Sequence, residues 1–139
     1  MAYINKSKTD DWRTPTYIYI QFMQAGYFDP CPLHSEFDGL SIEWGKNNFV
    51  NPPYGDLKTW INKAIKEAKK NKNVILLIPS RTDTKAFHEL YKFGCEFTFI
   101  IGRLCFNDEA PAPFPSVLIK LVGDGKNTMK YCKRENIKL

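Results

Sequence analysis

No stretch of this 139-residue chain is apolar for long. The longest run, Val74 to Ile78, falls far short of the ~18 residues a spanning helix needs, so a membrane role finds no support. The four cysteines, Cys31, Cys95, Cys105 and Cys132, include no C-x-x-C pair, and there are only two histidines. No second ligand pair has suitable spacing to join Cys31 and His34, so no metal site is expected. Scattered thiols of this kind read as reduced cysteines of a cytosolic protein. Met1 to Asp10 is polar, with no apolar segment of the kind a secretory signal requires, and the protein reads as intracellular. Internal repeats, low-complexity blocks and Gly/Ser-rich linkers are all missing.

What is present is ordinary globular material. With 43% hydrophobic and 25% charged residues, wholesale disorder is excluded, and the length suits one domain over residues 1–139. Residues 1–11 read as a flexible tail and residues 124–139 as a C-terminal extension. A formal net charge of +5 favours a polyanionic partner, although many basic proteins are merely soluble.

Along the chain, Thr14-Pro15 reads as an N-cap followed by proline at the first helical position, opening a helix that stops at Gly26. Tyr27-Phe28-Asp29 reads as a short strand. Residues 31–48 are irregular, with turns at Asp38-Gly39 and near Gly45, and Phe49-Val50 is a strand. Leu57, Trp60, Ile61, Ala64, Ile65 and Ala68 recur at helical spacing. Val74 to Ile78 has the continuous apolar character of a strand buried on both faces. Further on come a helix around Phe87 and Leu90 ending at Gly94, a strand alternating through Phe97, Phe99 and Ile101, and a last strand from Val117 to Val122. Strands alternating with helices predict an α/β fold, Rossmann-like, with a mostly parallel central sheet. In such sheets ligands lie beyond the carboxyl ends of the strands, where Asp29, Asn51 and residues 79–83 fall.

Asn51-Pro52-Pro53-Tyr54 is the strongest chemical signal. Average composition would produce N-P-P followed by Tyr or Phe in a chain this long on the order of once in a thousand, and here it sits between a strand and a helix. The pattern suits an exocyclic amine on a nucleobase, whose lone pair is delocalised into the ring. Two acceptors in its plane, the Asn51 side-chain oxygen and the Pro52 carbonyl, would bind its two N–H groups and favour the tetrahedral form as positive charge develops. Pro52 and Pro53 fix φ and so aim the loop. Tyr54 would stack on a base that is flipped out or already single-stranded. A rigid strand-to-helix turn with an Asn cap and a core tyrosine is the plain alternative.

The chain also resembles the phage-type DNA N-6-adenine methyltransferases, which use S-adenosylmethionine. The resemblance rests on ordered stretches from residue 11 to about 122. They are Asp11-Trp12-Arg13-Thr14-Pro15, Phe28-Asp29-Pro30-Cys31, Asp38-Gly39-Leu40 with Trp44, Asn51 to Gly55, Leu77 to Thr84, Gly102 to Phe106 and Ala112 to Ser116. It implies an abbreviated class I methyltransferase, an adenine-specific DNA-methyltransferase, virus-encoded and acting inside a host cell. It further implies that Thr14 and Pro15 touch the methionine part of the cofactor, that Asp29 lies near its amino group or ribose, and that Asp38 contacts its adenine. Two features depart from the usual pattern: Asp29-Pro30-Cys31-Pro32 replaces the glycine-rich turn, and only 21 residues separate Asp29 from Asn51. The half of the sheet that normally holds the adenosine must be short, and a homodimer would be one way to complete it. Asp38-Gly39 also reads as a plain turn, and Asp29 as a loop brace.

Arg81-Thr82-Asp83 reads either as a contact to nucleic acid or as a loop brace with a cap for the next helix. Arg103 and Phe114 flank the same rim, with Phe114 either stacking on a base or packing in the core. Lysines between residues 58 and 72 read as a phosphate-binding face or as the solvated side of an amphipathic helix. His34 and His88 read as structural. Two rival functions stay open: an RNA adenine methyltransferase, because N-P-P-Y does not distinguish sugars, and a degenerate nucleic-acid-binding protein that has lost turnover.

Overall fold

A computed structural model describes residues 12–139, so the tail expected over residues 1–11 lies outside the described part. The elements run α1 (Thr16–Gln24), β1 (Asn47–Val50), α2 (Leu57–Ala68), β2 (Asn73–Pro79), α3 (Lys85–Phe93), β3 (Cys95–Ile101), β4 (Ser116–Leu121) and β5 (Thr128–Lys133). The run around Leu76 becomes β2, with both faces buried as expected. Val74, Leu76 and Ile78 pack under α2 and α3, while Leu77 faces the core beneath α1. Three layers result: α1, the sheet, and the α2–α3 pair.

The α/β class stands, and four of the five strands run the same way, with β4 reversed among them to make the sheet mixed. Its order is β1-β2-β4-β3-β5, with β1–β2 and β3–β5 parallel and the two pairings of β4 antiparallel. The reason is the connection: the proline-rich loop between β3 and β4 contains no crossover helix, so the chain returns antiparallel. Nor is β4 the last strand. The expected C-terminal extension contributes β5, paired from Glu96–Thr128 to Ile101–Lys133. Thr128-Met129-Lys130-Tyr131-Cys132-Lys133 escaped notice because an exposed edge strand needs no apolar alternation. Within β3 the buried residue near the end is Ile100, and Ile101 is exposed.

The helix boundaries follow local chemistry. Thr84 accepts from the Phe87 amide at 3.2 Å to cap α3, and Gly94, at φ +97°, ends it where expected. The start of α1 is different. The helix begins at Thr16 with Pro15 in the cap position, so Thr14 is not its cap. Asp108 instead accepts from the Thr16 amide at 3.1 Å and the Thr16 hydroxyl at 2.6 Å. These bonds hold the Asp108 carboxyl below its ordinary range. Tyr27–Asp29 contributes one parallel bridge, Phe28 to Asn48, beside β1. The turn at Asp38-Gly39 is present, and its glycine is required: a Cβ there would lie 1.9 Å from the Pro30 carbonyl oxygen.

Because β1, β2, β3 and β5 point one way and β4 the other, one edge collects Asn51–Tyr54, residues 80–83, residues 102–106 and the loop before β4. No helix among the described residues is long and apolar enough to cross a membrane.

Candidate active site

Asn51 emerges from the end of β1 with every polar atom of its side chain engaged. Its amide nitrogen donates to the Trp12 carbonyl and to Thr14 Oγ1 at 3.0 Å, and its Oδ1 accepts from the Tyr54 hydroxyl at 2.8 Å. The Trp12 carbonyl can only accept, so it decides which way the amide points. The oxygen therefore faces the tyrosine. Pro52, Pro53 and Tyr54 are buried, and a single 3-10 turn leads directly into α2. Burial pushes the Tyr54 phenol up, and the nearby Arg81 charge acts against that. Tyr54 is 7% exposed, so its ring face is covered rather than open to a base. It meets Phe114 edge-on at 5.4 Å and Phe106 at 6.2 Å, and Trp12 closes the group against Phe114 at 5.2 Å.

Beside this cluster lies a cavity of about 460 Å³ between α1 and the loop after Asp29, with Asn51 in its wall. Asp29 Oδ1 accepts from the Cys31 amide at 2.9 Å, and Oδ2 accepts from the Tyr19 hydroxyl at 3.1 Å. Its carboxyl titrates at about 6, because burial disfavours the charge more than these two donors favour it. Burial pushes the Cys31 thiol up to about 12, with Asp29 adding to the rise. A buried carboxyl with a raised pKa in a cleft marks a candidate binding site.

The structure gathers Asn51, Tyr54, Thr14 and Asp29 at this place, with Arg81 and Phe114 close to Tyr54. Pro15 is buried as the residue before α1 and is not among those lining the cavity. Asp38 is not brought there. Its Oδ1 accepts from the Leu40 amide at 3.0 Å and its Oδ2 from the Ser41 hydroxyl at 2.8 Å, which is the plain turn. Arg103 lies at the rim and reaches the Ala112 carbonyl at 3.4 Å. Thr82 and Asp83 are exposed in the loop after β2. Lys63, Lys70 and Lys72 are tied to Glu67, so they hold α2 in place.

Of the twelve residues lining the cavity, sequence reasoning named Thr14, Asp29 and Asn51 as site residues and missed the others, among them Arg13, Thr16, Tyr19, Ile20 and Met23. A signal existed. Ile18 and Phe22 already supply the buried face of α1, so Tyr19, Ile20 and Met23 form a second apolar face on a short helix. Such a face implies something further to cover.

The profile of the DNA N-6-adenine-methyltransferase (Dam) family matches residues 33–120, well over half of the chain. No curated protein sequence matches it. Among solved structures, a predicted O-methyltransferase, protein Atu636 from Agrobacterium tumefaciens, is similar at 19% identity and a TM-score of 0.40. The similarity covers 68% of this chain and 44% of that one, so the chain spans under half of that relative's length. The matched region contains Asn51–Tyr54, the loop after β2 and the proline-rich loop before β4, and on that match the chain belongs to the DNA N-6-adenine-methyltransferase (Dam) family.

Proposed function

We propose that this protein is a single-domain enzyme that moves a methyl group from S-adenosylmethionine to the N6 amine of adenine in DNA. The observation that carries this reading is the orientation of Asn51: its amide is anchored so that Oδ1 is held as an acceptor beside a cleft. A carbonyl oxygen has two lone pairs, so Oδ1 can keep the Tyr54 bond and accept an amine N–H as well. The Pro52 carbonyl would accept the second. Accepting from both N–H groups stabilises the positive charge that builds on nitrogen, so no base has to act before the bond forms. Tyr54 holds the Asn51 oxygen and backs the site, with Phe114, Phe106 and Trp12 excluding water around it.

The cavity fits the cofactor in chemistry and size. A zwitterionic amino acid joined to a ribose and a purine needs an anion, a cation, hydroxyl partners and apolar walls. Asp29, Arg13, Thr14, Thr16, Ile20 and Met23 supply them, and about 460 Å³ is in the usual range for small-molecule sites. When bound, the cofactor supplies an electrophilic methyl group on a sulfonium. Asp38 does not line this cavity. Arg81 and Arg103 would meet nucleic acid at the rim.

The test is direct. Incubating the protein with labelled S-adenosylmethionine and adenine-containing DNA, then digesting the product, is expected to give N6-methyladenine. Label found only on matched RNA would move the reading to the RNA enzyme. Label on neither, with DNA still bound, would make the chain a binding protein.

Asp29 adds a pH dependence. Protonation removes the anion, so cofactor affinity is expected to hold above pH 7 and to weaken below about 6. The folded carboxyl titrates above its ordinary 3.8, so the native state binds the extra proton between 3.8 and about 6, and folding stability declines as pH rises through that window. Asp29→Asn is therefore expected to melt no lower than the wild type at pH 8 while weakening cofactor binding about tenfold or more. Calorimetric titration across pH, paired with thermal melts, checks both halves. Unchanged affinity in Asp29→Asn would remove Asp29 from the cofactor site.

A further inference from the structure

The sheet face between α3 and β5 is left open. Met129, Tyr131 and Lys133 lie on one side of β5, opposite Phe97, Phe99 and Ile101 of β3. Tyr131 is 74% exposed, Met129 68%, Tyr91 54% and Ile101 52%, an unusual amount of large apolar surface for one patch. Tyr131 leans on Phe99 with ring centroids 5.6 Å apart, and Tyr91 stacks on His88 at 6.3 Å. Between them is a hollow of about 260 Å³ that reaches Thr82, in the loop at the active edge.

The C-terminal segment is strongly basic, with Lys133 on the same side of β5 as Tyr131 and Lys130 on the other. From Lys126 to the last residue the chain has five cations, Lys126, Lys130, Lys133, Arg134 and Lys138, against the single acid Glu135. That segment supplies most of the net +5. The lysines between residues 58 and 72 are the other candidates for a phosphate surface; there Glu67 and Glu43 neutralise Lys63, Lys70 and Lys72, whereas Lys58, Lys66 and Lys69 stay exposed without a stacking aromatic beside them among the described residues. Among the described residues, Lys126, Lys130 and Lys133 have no ion-pair partner. Arg134 donates to the Arg103 carbonyl at 3.0 Å, which joins the end of β5 to the rim of the candidate active site.

We propose that the face between α3 and β5 is the track for the DNA strand flanking the target adenine, with unpaired bases stacked on Tyr131 and Tyr91 and phosphates held by Lys133 and its neighbours. The proposal rests on the methyltransferase reading and adds to it the surface that carries the substrate. Exposed aromatics beside unpaired cations are what single-strand binding uses, since every base has a face to stack and every nucleotide a charge to neutralise. A second copy of this chain fits poorly, because two β5 edges brought together would set lysines against lysines.

Anisotropy with a labelled single-stranded oligonucleotide of mixed sequence tests the track on the full chain. Tyr131→Ala is expected to weaken binding about tenfold or more, and Tyr131→Phe to restore it. Lys133→Ala is expected to lower the slope of log affinity against log salt by about 0.7. In methyl-transfer assays both variants should raise KM for DNA while leaving kcat at saturating DNA and calorimetric cofactor affinity unchanged. Tyr131 is so exposed that its loss leaves the fold intact, which a thermal melt checks. If wild type methylates adenine and both variants bind the oligonucleotide as it does, the track is overturned and the methyltransferase reading stands. A wild-type dimer in sedimentation that Tyr131→Ala converts to monomer, with DNA binding unchanged, would assign the face to a second copy and overturn the track. A wild type that neither binds DNA nor methylates it removes the parent reading and the track together.

Discussion

Asn51→Ala is expected to lower kcat for adenine methylation by about a thousandfold, since one well-placed acceptor or donor at a developing charge is worth about 10²–10³. S-adenosylmethionine should still bind, because Asp29, Arg13 and the apolar wall of α1 remain. Stability should fall as well, by about 1–3 kcal/mol, because the buried Tyr54 hydroxyl loses its partner. A melt of the variant separates that loss from the catalytic one. The isosteric Asn51→Asp is the sharper probe. It keeps the oxygen toward Tyr54 but replaces the amide nitrogen by a second oxygen, setting an acceptor against the Trp12 carbonyl, which Asn51 now serves as donor, so turnover should fall although the shape is unchanged. Tyr54→Phe should keep most turnover, because the ring still packs on Phe114 and Phe106 while Oδ1 is freed for the substrate amine. Wild-type turnover in Asn51→Ala would remove the assignment.

Much of this architecture was legible because local rules and tertiary packing agree. The apolar run of β2, the helical spacing of α2 and the Gly94 stop each fold as their chemistry suggests. Reading failed where a residue's partner is far along the chain. Thr14 looks like a helix cap, yet its hydroxyl serves Asn51, 37 residues on, while Asp108 caps α1 from 92 residues away. No local window contains either pairing. Asp38 has the composition of a ligand contact and the geometry of a turn, which its immediate neighbours Leu40 and Ser41 decide. The N-P-P-Y loop was legible as chemistry but not as packing. Tyr54 was expected to offer its ring to a base, whereas Phe106 and Phe114, far along the chain, cover it. The parallel position of β5 was hidden for a related reason, since it adds to an edge and buries almost nothing.

Glu67 shows the largest gap between sequence and structure, and its replacement is expected to have the largest effect on stability. On a lysine-rich helix it looks like a surface residue, yet it is fully buried. Burial alone would push its carboxyl up, but the bonds from Lys72 at 2.7 Å, the Trp44 amide at 2.7 Å and Lys70 at 3.1 Å, with the Lys63 charge added, hold it at about 2. Lys63 and Lys72 also donate to the Ile42 and Trp44 carbonyls, so this one carboxylate fastens the irregular segment before β1 to α2. That segment leads into the strand that delivers Asn51. Glu67→Ala leaves a buried amide unpaired and three ammonium groups facing one another, and should cost about 3–5 kcal/mol. Lys70→Met, at a half-exposed position, should cost about 1 kcal/mol or less. The sign of the pH effect follows from the depressed carboxyl: its contribution is complete above the ordinary 4.5 and is lost as pH falls toward about 2. Urea unfolding at pH 7 and pH 3 should therefore show the wild type losing stability that Glu67→Ala no longer has to lose. If Glu67→Ala unfolds at the wild-type midpoint at pH 7, the lysines around it are solvated side chains and the anchoring of Asn51 lies in the Trp12–Thr14 contacts alone.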